Sequence, residues 1–325
     1  MPTAVVLVGG MGTRLRPLTL STPKQMLPVG HRPMIEHVVE HLARHGVEEV
    51  VLALGFRPDA FTAAYPDGRC NGVRLRYAVE PRPLDTAGAI AFAAAEAGVD
   101  QTVVACNGDV LTDMDLSELV DFHRRQGAAA TIHLTPVDDP SRYGVVSTDD
   151  EGRVVAFIEK PSIEAAPTNL INAGTYVLEP EVLAGIPLGR PVSIERETFP
   201  ALAAQGRLYA LASAAAWIDA GTPASYLAAN LRHATDGTAG GVDTTASVTS
   251  SVIAAGVTVG PGAVVERSVL MPGADIGRGA LVRDSLVGPG ARIGDRARLD
   301  GLSVVGAGVE VPAGEELVGV RLPAS

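Results

Sequence analysis

Near its C-terminal end the chain repeats an apolar residue at every sixth position, and few folds accept that spacing. Ile253, Val259 and Val265 open the series; Leu270, Ile276 and Val282, then Val287, Ile293 and Leu299, then Val305 and Val311 continue it. Each group starts 17 or 18 residues after the one before, and glycine follows directly at Gly260, Gly277, Gly288, Gly294 and Gly306. The period matches one triangular coil of a hexapeptide parallel β-helix, in which the apolar residue points inward and the small neighbour permits a corner. A β-sandwich with fortuitous spacing is the competing reading. A short stack cannot shield both of its ends, so it is expected to cap against the preceding domain or another subunit.

Upstream the pattern changes to short apolar runs alternating with helical stretches, as a parallel sheet with crossover helices requires. Strands are predicted at Ala4 to Val8, Glu49 to Leu54, Val73 to Val79 and Thr102 to Cys106. Helices are predicted at Pro33 to His45, Pro58 to Tyr65, Thr86 to Ala97 and Leu116 to Gln126. Closer strands follow at Thr131 to Thr135, Gly144 to Ser147 and Val154 to Glu159, which implies a mixed sheet. After a helical stretch from Pro223 to Ala234, the run Asp236-Gly237-Thr238-Ala239-Gly240-Gly241 suits a flexible linker. The expected organisation is an α/β domain over 1–235, a linker over 236–245 and the repeat domain over 246–325.

With 325 residues, 46% hydrophobic and 19% charged, the chain is long enough for one large core and a smaller second one, so whole-chain disorder is excluded. The run from Ala4 to Val8 is too short to span a bilayer and has no basic stretch before it, so a soluble cytoplasmic protein is expected. Two cysteines, Cys70 and Cys106, are too few for a disulfide framework and read as small core or loop residues. A net charge of -11 argues against nucleic acid or an acidic membrane as partner. Residues 1–35 nonetheless carry Arg14, Arg16, Lys24 and Arg32 and no acid. Either an anion docks there or the run is chance. Of 26 basic residues only Lys24 and Lys160 are lysine, and each adjoins a proline. A site that keeps lysine in an arginine-rich chain points to a need for a compact ammonium charge; two leftover surface lysines are the alternative.

The opening strand runs into Gly9-Gly10-Met11-Gly12-Thr13-Arg14-Leu15, then Pro17-Leu18-Thr19 and Pro23-Lys24. Glycines after a strand let backbone N–H groups approach phosphate oxygens, and the following Arg and Lys neutralise charge. The loop lacks the Gly-Lys-Ser/Thr ending of a Walker loop, and Leu15 stands where a dinucleotide fingerprint needs its third glycine.

This stretch resembles the signature of the sugar nucleotidyltransferases, which join a sugar 1-phosphate to a nucleoside triphosphate and release pyrophosphate. Further matches follow in order: Leu84-Asp85-Thr86-Ala87-Gly88, Asn107-Gly108-Asp109, Phe157-Ile158-Glu159-Lys160-Pro161, Asn172-Ala173-Gly174 and Trp217-Ile218-Asp219-Ala220-Gly221-Thr222-Pro223. Through Ser193-Ile194-Glu195-Arg196-Glu197 and Tyr143-Gly144-Val145-Val146 the chain resembles the mannose-1-phosphate guanylyltransferase group in particular. The resemblance implies a Rossmann-like mixed-sheet domain followed by a left-handed parallel β-helix. It implies that Arg14 and Lys24 bind the triphosphate around the reacting phosphorus, and that Leu7, Gly9, Gly10, Gly12, Thr13, Gly88 and Gly108 line the nucleotide. Lys160 would bind the sugar phosphate, with Asn107, Gly144, Glu159, Asn172 and Gly174 toward the sugar. Asp109 and Asp219 would hold Mg²⁺. Arg14, Lys24 and Lys160 are then the catalytic residues.

Elementary chemistry agrees with such a set. An anionic phosphate attacking an anionic phosphorus needs positioning and charge neutralisation, and no general base. Two carboxylates suit a hard, oxygen-seeking cation. Bland readings stand beside these: Asp109 and Asp219 as turn residues, Glu159 and Lys160 as a solvated pair, and Asn172 as a loop hydrogen-bonder. None of the seven histidines lies in the repeat region, so the tail offers no histidine base of the acyltransferase kind. His37, His41 and His45 fall at helical spacing and read as a surface stripe rather than a metal site. Asp85 departs from the glycine usual in mannose-specific relatives, which leaves base and sugar open. A glucose-1-phosphate thymidylyltransferase, a guanylyltransferase for a cyclitol phosphate and a non-catalytic sugar-nucleotide-binding subunit compete with a GTP- and mannose-1-phosphate-using enzyme. An apolar β-helix end leads to the expectation of a homo-oligomer.

Overall fold

The computed structural model describes residues 2–55, 58–234 and 241–324. Residues 236–240 of the expected linker lie outside the described residues. The chain divides into two compact units, one of Met1–Gly10 with Ile35–Trp217 and the other of Met11–Met34 with Ile218–Ser325. Among the described residues no helix is long and apolar enough to cross a membrane.

The first unit is built on a mixed ten-stranded sheet. Its strands are β1 (Thr3–Leu7), β2 (Glu49–Leu54), β3 (Arg69–Cys70), β4 (Val73–Val79), β5 (Val103–Asn107), β6 (Ala130–Pro136), β7 (Gly144–Thr148), β8 (Val154–Glu159), β9 (Leu170–Leu178) and β10 (Leu208–Ala212). In space they run β8-β7-β9-β5-β1-β2-β4-β3, with β6 paired to β9 and β10. The four strands β5, β1, β2 and β4 are parallel, and the inner residues of β1, β2 and β5 form continuous apolar runs because consecutive side chains, which point to opposite faces, are all buried. β7, β8 and β9 are antiparallel, as the closer strand spacing in the sequence predicts. The chain steps from β1 outward through β2 to β4 and then returns to the other side of β1 as β5. That reversal beside β1 is a topological switch point, and it opens a crevice at the strands' C-terminal ends.

Helices α1 (Met34–Arg44), α2 (Pro58–Ala64), α3 (Asp85–Glu96) and α4 (Leu116–Gln126) lie within a few residues of their predicted spans. α3 is alanine-rich and buried on several sides, which lets it pack close to β1, β2 and β4. α4 is N-capped by Asp115, whose carboxylate accepts from Glu118 N, and C-capped by Gly127 in the left-handed region. The expected surface stripe of histidines on α1 is corrected by the structure. His41 is half-buried beside His45, and desolvation, aided by the His45 and Arg44 charges, lowers its imidazole to about 4. Cys70 and Cys106 are both buried thiols, as read.

In the second unit three parallel sheets form the sides of a β-helix. One side stacks Ser247–Thr249, Val264–Glu266, Leu281–Arg283, Arg298–Asp300 and Glu316–Val318; another begins at Val252–Ile253 and ends at Arg321–Leu322; the third runs from Thr258–Val259 to Glu310–Val311. The registers align the six-residue series into columns, Val265 on Val282 on Leu299, Ile253 on Leu270 on Val287 on Val305, and Val259 on Ile276 on Ile293 on Val311. Every one of these side chains is buried. The corner glycines are glycines because the next coil occupies the space of a side chain. A methyl group on Gly277 would lie 2.7 Å from Asp295 N, and one on Gly294 2.5 Å from Ala313 N. In the same unit α5 (Pro223–Leu231) starts with a Thr222–Ser225 capping box and packs on the strand Val269–Leu270.

Candidate active site

In the first unit the residues named from the sequence form a row across the C-terminal edge of the parallel strands. Leu7 ends β1 between Ala53 of β2 and Asn107 of β5. Gly9 and Gly10 follow, and Gly10 adopts φ +90 with no atom within 4 Å of where a side chain would begin. Next to them Gly108 N donates to Leu7 O at 2.9 Å, and a methyl group on Gly108 would meet the same oxygen at 2.9 Å. Asp109 is half-buried in the turn after β5. Burial, with the Asp109 charge adding to it, pushes the Cys106 thiol up to about 12, so this cysteine stays protonated at neutral pH.

Beyond β5 the row continues on β9, β7 and β8. The register of β9 shifts between Asn172 and Tyr176, and Gly174 sits in that irregularity with φ +77. A methyl group there would lie 2.5 Å from Asn107 Nδ2, so only glycine lets β9 pass the Asn107 side chain. Asn172 is held from both ends of its amide: Oδ1 accepts from Gly174 N at 3.0 Å and Nδ2 donates to Tyr176 Oη at 3.0 Å. Trp217 Nε1 donates to Ala173 O at 2.9 Å, and its ring meets Tyr143 edge-on at 5.7 Å. Gly144 pairs with Glu159, and a methyl group on it would come 3.0 Å from Glu159 Oε2. Lys160 takes φ +50, is exposed, and places Nζ 3.1 Å from Glu159 Oε1. A non-glycine residue in the left-handed region stores backbone strain of the kind that clusters at functional positions.

Gly88 lies elsewhere. It is buried in α3, and a methyl group on it would meet Arg190 O at 3.2 Å and Val192 N at 3.4 Å, so the close approach it permits is that of the 190–192 segment. Asp85 adopts φ +60, which explains why glycine suits this position; aspartate tolerates it because its Oδ1 accepts from Thr86 N at 2.7 Å.

Arg14, Lys24 and Asp219 belong to the second unit and meet around one glycine. A methyl group on Gly221 would lie 2.7 Å from Asp219 Oδ1, 2.9 Å from Arg14 Nη2 and 3.1 Å from Lys24 Nζ. Local structure aims them there. Gly12, at φ +59, starts the short 3-10 turn Thr13–Leu15 and accepts Thr19 Oγ1 on its carbonyl at 2.8 Å. Leu15 and Leu18 anchor the loop by burial while Thr13 and Arg14 stay exposed. Lys24 is 8% exposed, in contrast to Lys160, and a buried cation beside a carboxylate is the compact arrangement its lysine identity suggests.

Among the described residues no three or more His, Cys, Asp or Glu side chains are grouped so as to hold a metal by themselves. Mg²⁺ is nevertheless matched by the chemistry of the donors, since it commonly takes one or two carboxylates and completes its shell with water and substrate phosphates. The sequence reading assigned no role to Glu80, Gly55 or Gly221. Glu80 directly follows β4 and Asp109 stands two residues beyond β5, and that position at a strand's C-terminal end was the available signal.

The fold and the site define a class. The chain belongs to the nucleotidyl transferase family, whose model matches residues 3–236, and residues 237–320 match the GMPPB C-terminal domain. It is 48% identical over 226 residues to the mannose-1-phosphate guanylyltransferase of Mycobacterium tuberculosis, covering 69% of this chain and 62% of that protein. It is 44% identical over 229 residues to the mannose-1-phosphate guanyltransferase of Aspergillus fumigatus, covering 69% of this chain. The matched stretch thus spans 62% of the length of these curated relatives. Among solved structures, HddC from Yersinia pseudotuberculosis complexed with GMP-PN is similar with a TM-score of 0.61 and 26% identity, over 71% of this chain and 99% of that one. A Bacillus anthracis protein described as a glucose-1-phosphate thymidylyltransferase, in complex with a sucrose, has a TM-score of 0.65 and 26% identity over 72% of this chain and 95% of that one.

Proposed function

We propose that the chain is a sugar-1-phosphate nucleotidyltransferase that converts GTP and mannose 1-phosphate into GDP-mannose and pyrophosphate. The observation that carries this reading is the row along the sheet edge: backbone-only glycines at the end of β1, a carboxylate turn at the end of β5, and Asn172, Gly174, Glu159 and Lys160 beyond it. A nucleotide over the glycines and a sugar phosphate over β9 and β8 would bring the two reacting groups together between them. An oxygen of the sugar phosphate attacks the α-phosphorus, the bond from that phosphorus to the β-phosphate oxygen breaks, and pyrophosphate leaves with its charge.

In this reading Arg14 and Lys24 neutralise the triphosphate, and Lys160 holds the sugar phosphate while Glu159 and the fixed Asn172 amide bind sugar hydroxyls. Leu7, Gly9, Gly10, Gly12, Thr13 and Gly108 belong to the nucleotide side, and Asn107 and Gly144 to the sugar side. Asp109 and Asp219 would hold a divalent cation, Mg²⁺, which when bound lowers the charge on the phosphate oxygens. Residues 1–235 carry the reaction, 246–325 form the β-helix, and the exposed end of that helix serves self-association in the cytoplasm, where the triphosphates are supplied.

The test is a pyrophosphate-release assay crossing GTP, dTTP, UTP, CTP and ATP with mannose and glucose 1-phosphates. GTP with mannose 1-phosphate is expected to give the highest kcat/KM. Highest turnover with dTTP and glucose 1-phosphate would instead make the protein a thymidylyltransferase.

A further inference from the structure

Lys24 lies in the second unit on a short 3-10 turn, Lys24–Met26, that leads into a hairpin of Pro28–Val29 and Arg32–Pro33. Turn and hairpin are one hydrogen-bonded piece: Leu27 N donates to Lys24 O at 3.1 Å, and Met34 N closes the base of the hairpin onto Leu27 O at 3.0 Å. That piece is gripped by α5. Asn230, fully buried, accepts from Gly30 N on Oδ1 at 3.0 Å and donates from Nδ2 to Tyr226 O at 3.0 Å, which leaves its amide one orientation. One helical turn earlier, Tyr226 Oη donates to Pro28 O. Gly30 fits against α5 only without a side chain, since a methyl group at its φ of +61 would lie 3.0 Å from His233 Cβ. The other end of the same helix starts at the Thr222 cap, directly after Asp219-Ala220-Gly221. A helix of 9 residues is a rod about 14 Å long, with Asp219 at its head and the Lys24 hairpin held along its body.

We propose that Asn230 and Tyr226 are positioning residues for nucleotidyl transfer: by clamping the hairpin to α5 they hold the Lys24 ammonium beside Asp219 at Gly221, a reading that rests on the role proposed for Lys24 above. A lysine is a point charge on a flexible four-carbon stem, so where its ammonium stands depends on where its backbone is fixed. Charges placed in advance stabilise a transition state without reorganising during the reaction, and a displacement of about 1 Å can cost 100-fold in rate. Both clamp side chains are fully buried, so they act through the backbone of the hairpin. Burial also pushes the Tyr226 phenol above its ordinary range, which keeps it a donor throughout neutral and mildly alkaline pH.

The chain holds only two lysines, so trace acetylation followed by peptide mass spectrometry reads Lys24 directly, with the exposed Lys160 as internal standard. The experiment compares the wild type with Asn230→Ala, Tyr226→Phe and Ser268→Ala, the last destabilising the same unit from within the β-helix. Asn230→Ala and Tyr226→Phe are each expected to raise the Lys24-to-Lys160 labelling ratio about fivefold, the change in open population that follows the loss of one hydrogen bond. Each is expected to lower kcat by about 10- to 100-fold and to leave KM for mannose 1-phosphate unchanged. Ser268→Ala should move neither readout. Tyr226→Phe keeps the ring and its packing, and serves should Asn230→Ala not fold. Wild-type labelling and kcat in the clamp variants overturn the proposal, as does a change in one readout without the other, or an equal loss of kcat in Ser268→Ala. Lys24→Ala, expected to lose at least about 100-fold in kcat, separates the two levels. Full activity in Lys24→Ala overturns the role of Lys24 itself, whereas a disabled Lys24→Ala beside unaffected clamp variants overturns the clamp alone.

Discussion

Gly221 has no side chain, and that is what allows Arg14, Lys24 and Asp219 to gather around it. Gly221→Ala puts a methyl group inside contact distance of Asp219 Oδ1 and Arg14 Nη2, at 2.7 and 2.9 Å. Both are ends of movable side chains, so the fold survives and the charge geometry does not. We expect kcat/KM to fall by about 100-fold, the usual consequence of displacing reacting groups by an ångström, with the thermal melting midpoint nearly unchanged. Pyrophosphate release and a melting curve on the same sample check both halves. At this scale Lys24 and Lys160 were legible in the sequence because two lysines among 26 basic residues stand out. The left-handed backbones of Asp85 and Lys160 were not, since φ is set by what the neighbouring segments require of the chain.

Among the elements, Glu49–Leu54, Val73–Val79, Leu116–Gln126 and Val154–Glu159 have the bounds read from sequence, because each is an apolar or amphipathic run closed by turn residues or caps. β9 escaped that reading. Asn172 and Gly174 interrupt its apolar run, and only its place beside β5, β6 and β7 makes it a strand. The β-helix was legible as a hydrophobic period, but a second, polar column in it was not. Ser251, Ser268, Ser285 and Ser303 are fully buried and stacked; Ser268 N donates to Ser251 Oγ and Ser285 N to Ser268 Oγ, both at 3.1 Å. The hydroxyl of Ser268 also donates to Glu266 O at 2.8 Å. Ser268→Ala leaves the Ser285 N–H buried without that acceptor and is expected to destabilise the unit by about 1–3 kcal/mol. The exposed Ser247→Ala should cost less than about 0.5 kcal/mol. Chemical denaturation of the two variants separates the outcomes.

Across the first unit as a whole, burial makes stability sensitive to acid. His133 lies in the core on β6, with Nε2 2.8 Å from Ser213 Oγ and Nδ1 without a hydrogen-bond partner among the described residues. Desolvation, helped by the His41 charge, lowers its imidazole to about 4 from the ordinary 6.5. The folded state therefore resists a proton that the unfolded chain accepts. Stability is complete above pH 6.5 and declines as pH falls toward 4, by about 3 kcal/mol for a shift of this size. Denaturation curves at pH 7 and pH 4.5 should show that decline, and His133→Asn should make it smaller. By itself the sequence determined the two architectures, through local periodicity, and the residue types that phosphate chemistry needs. The tertiary structure alone decided which of them meet. Asn107 beside Gly174, Asn230 against Gly30, and three charges around Gly221 are each joined by strand register and chain return, long-range contacts that leave no period in the sequence.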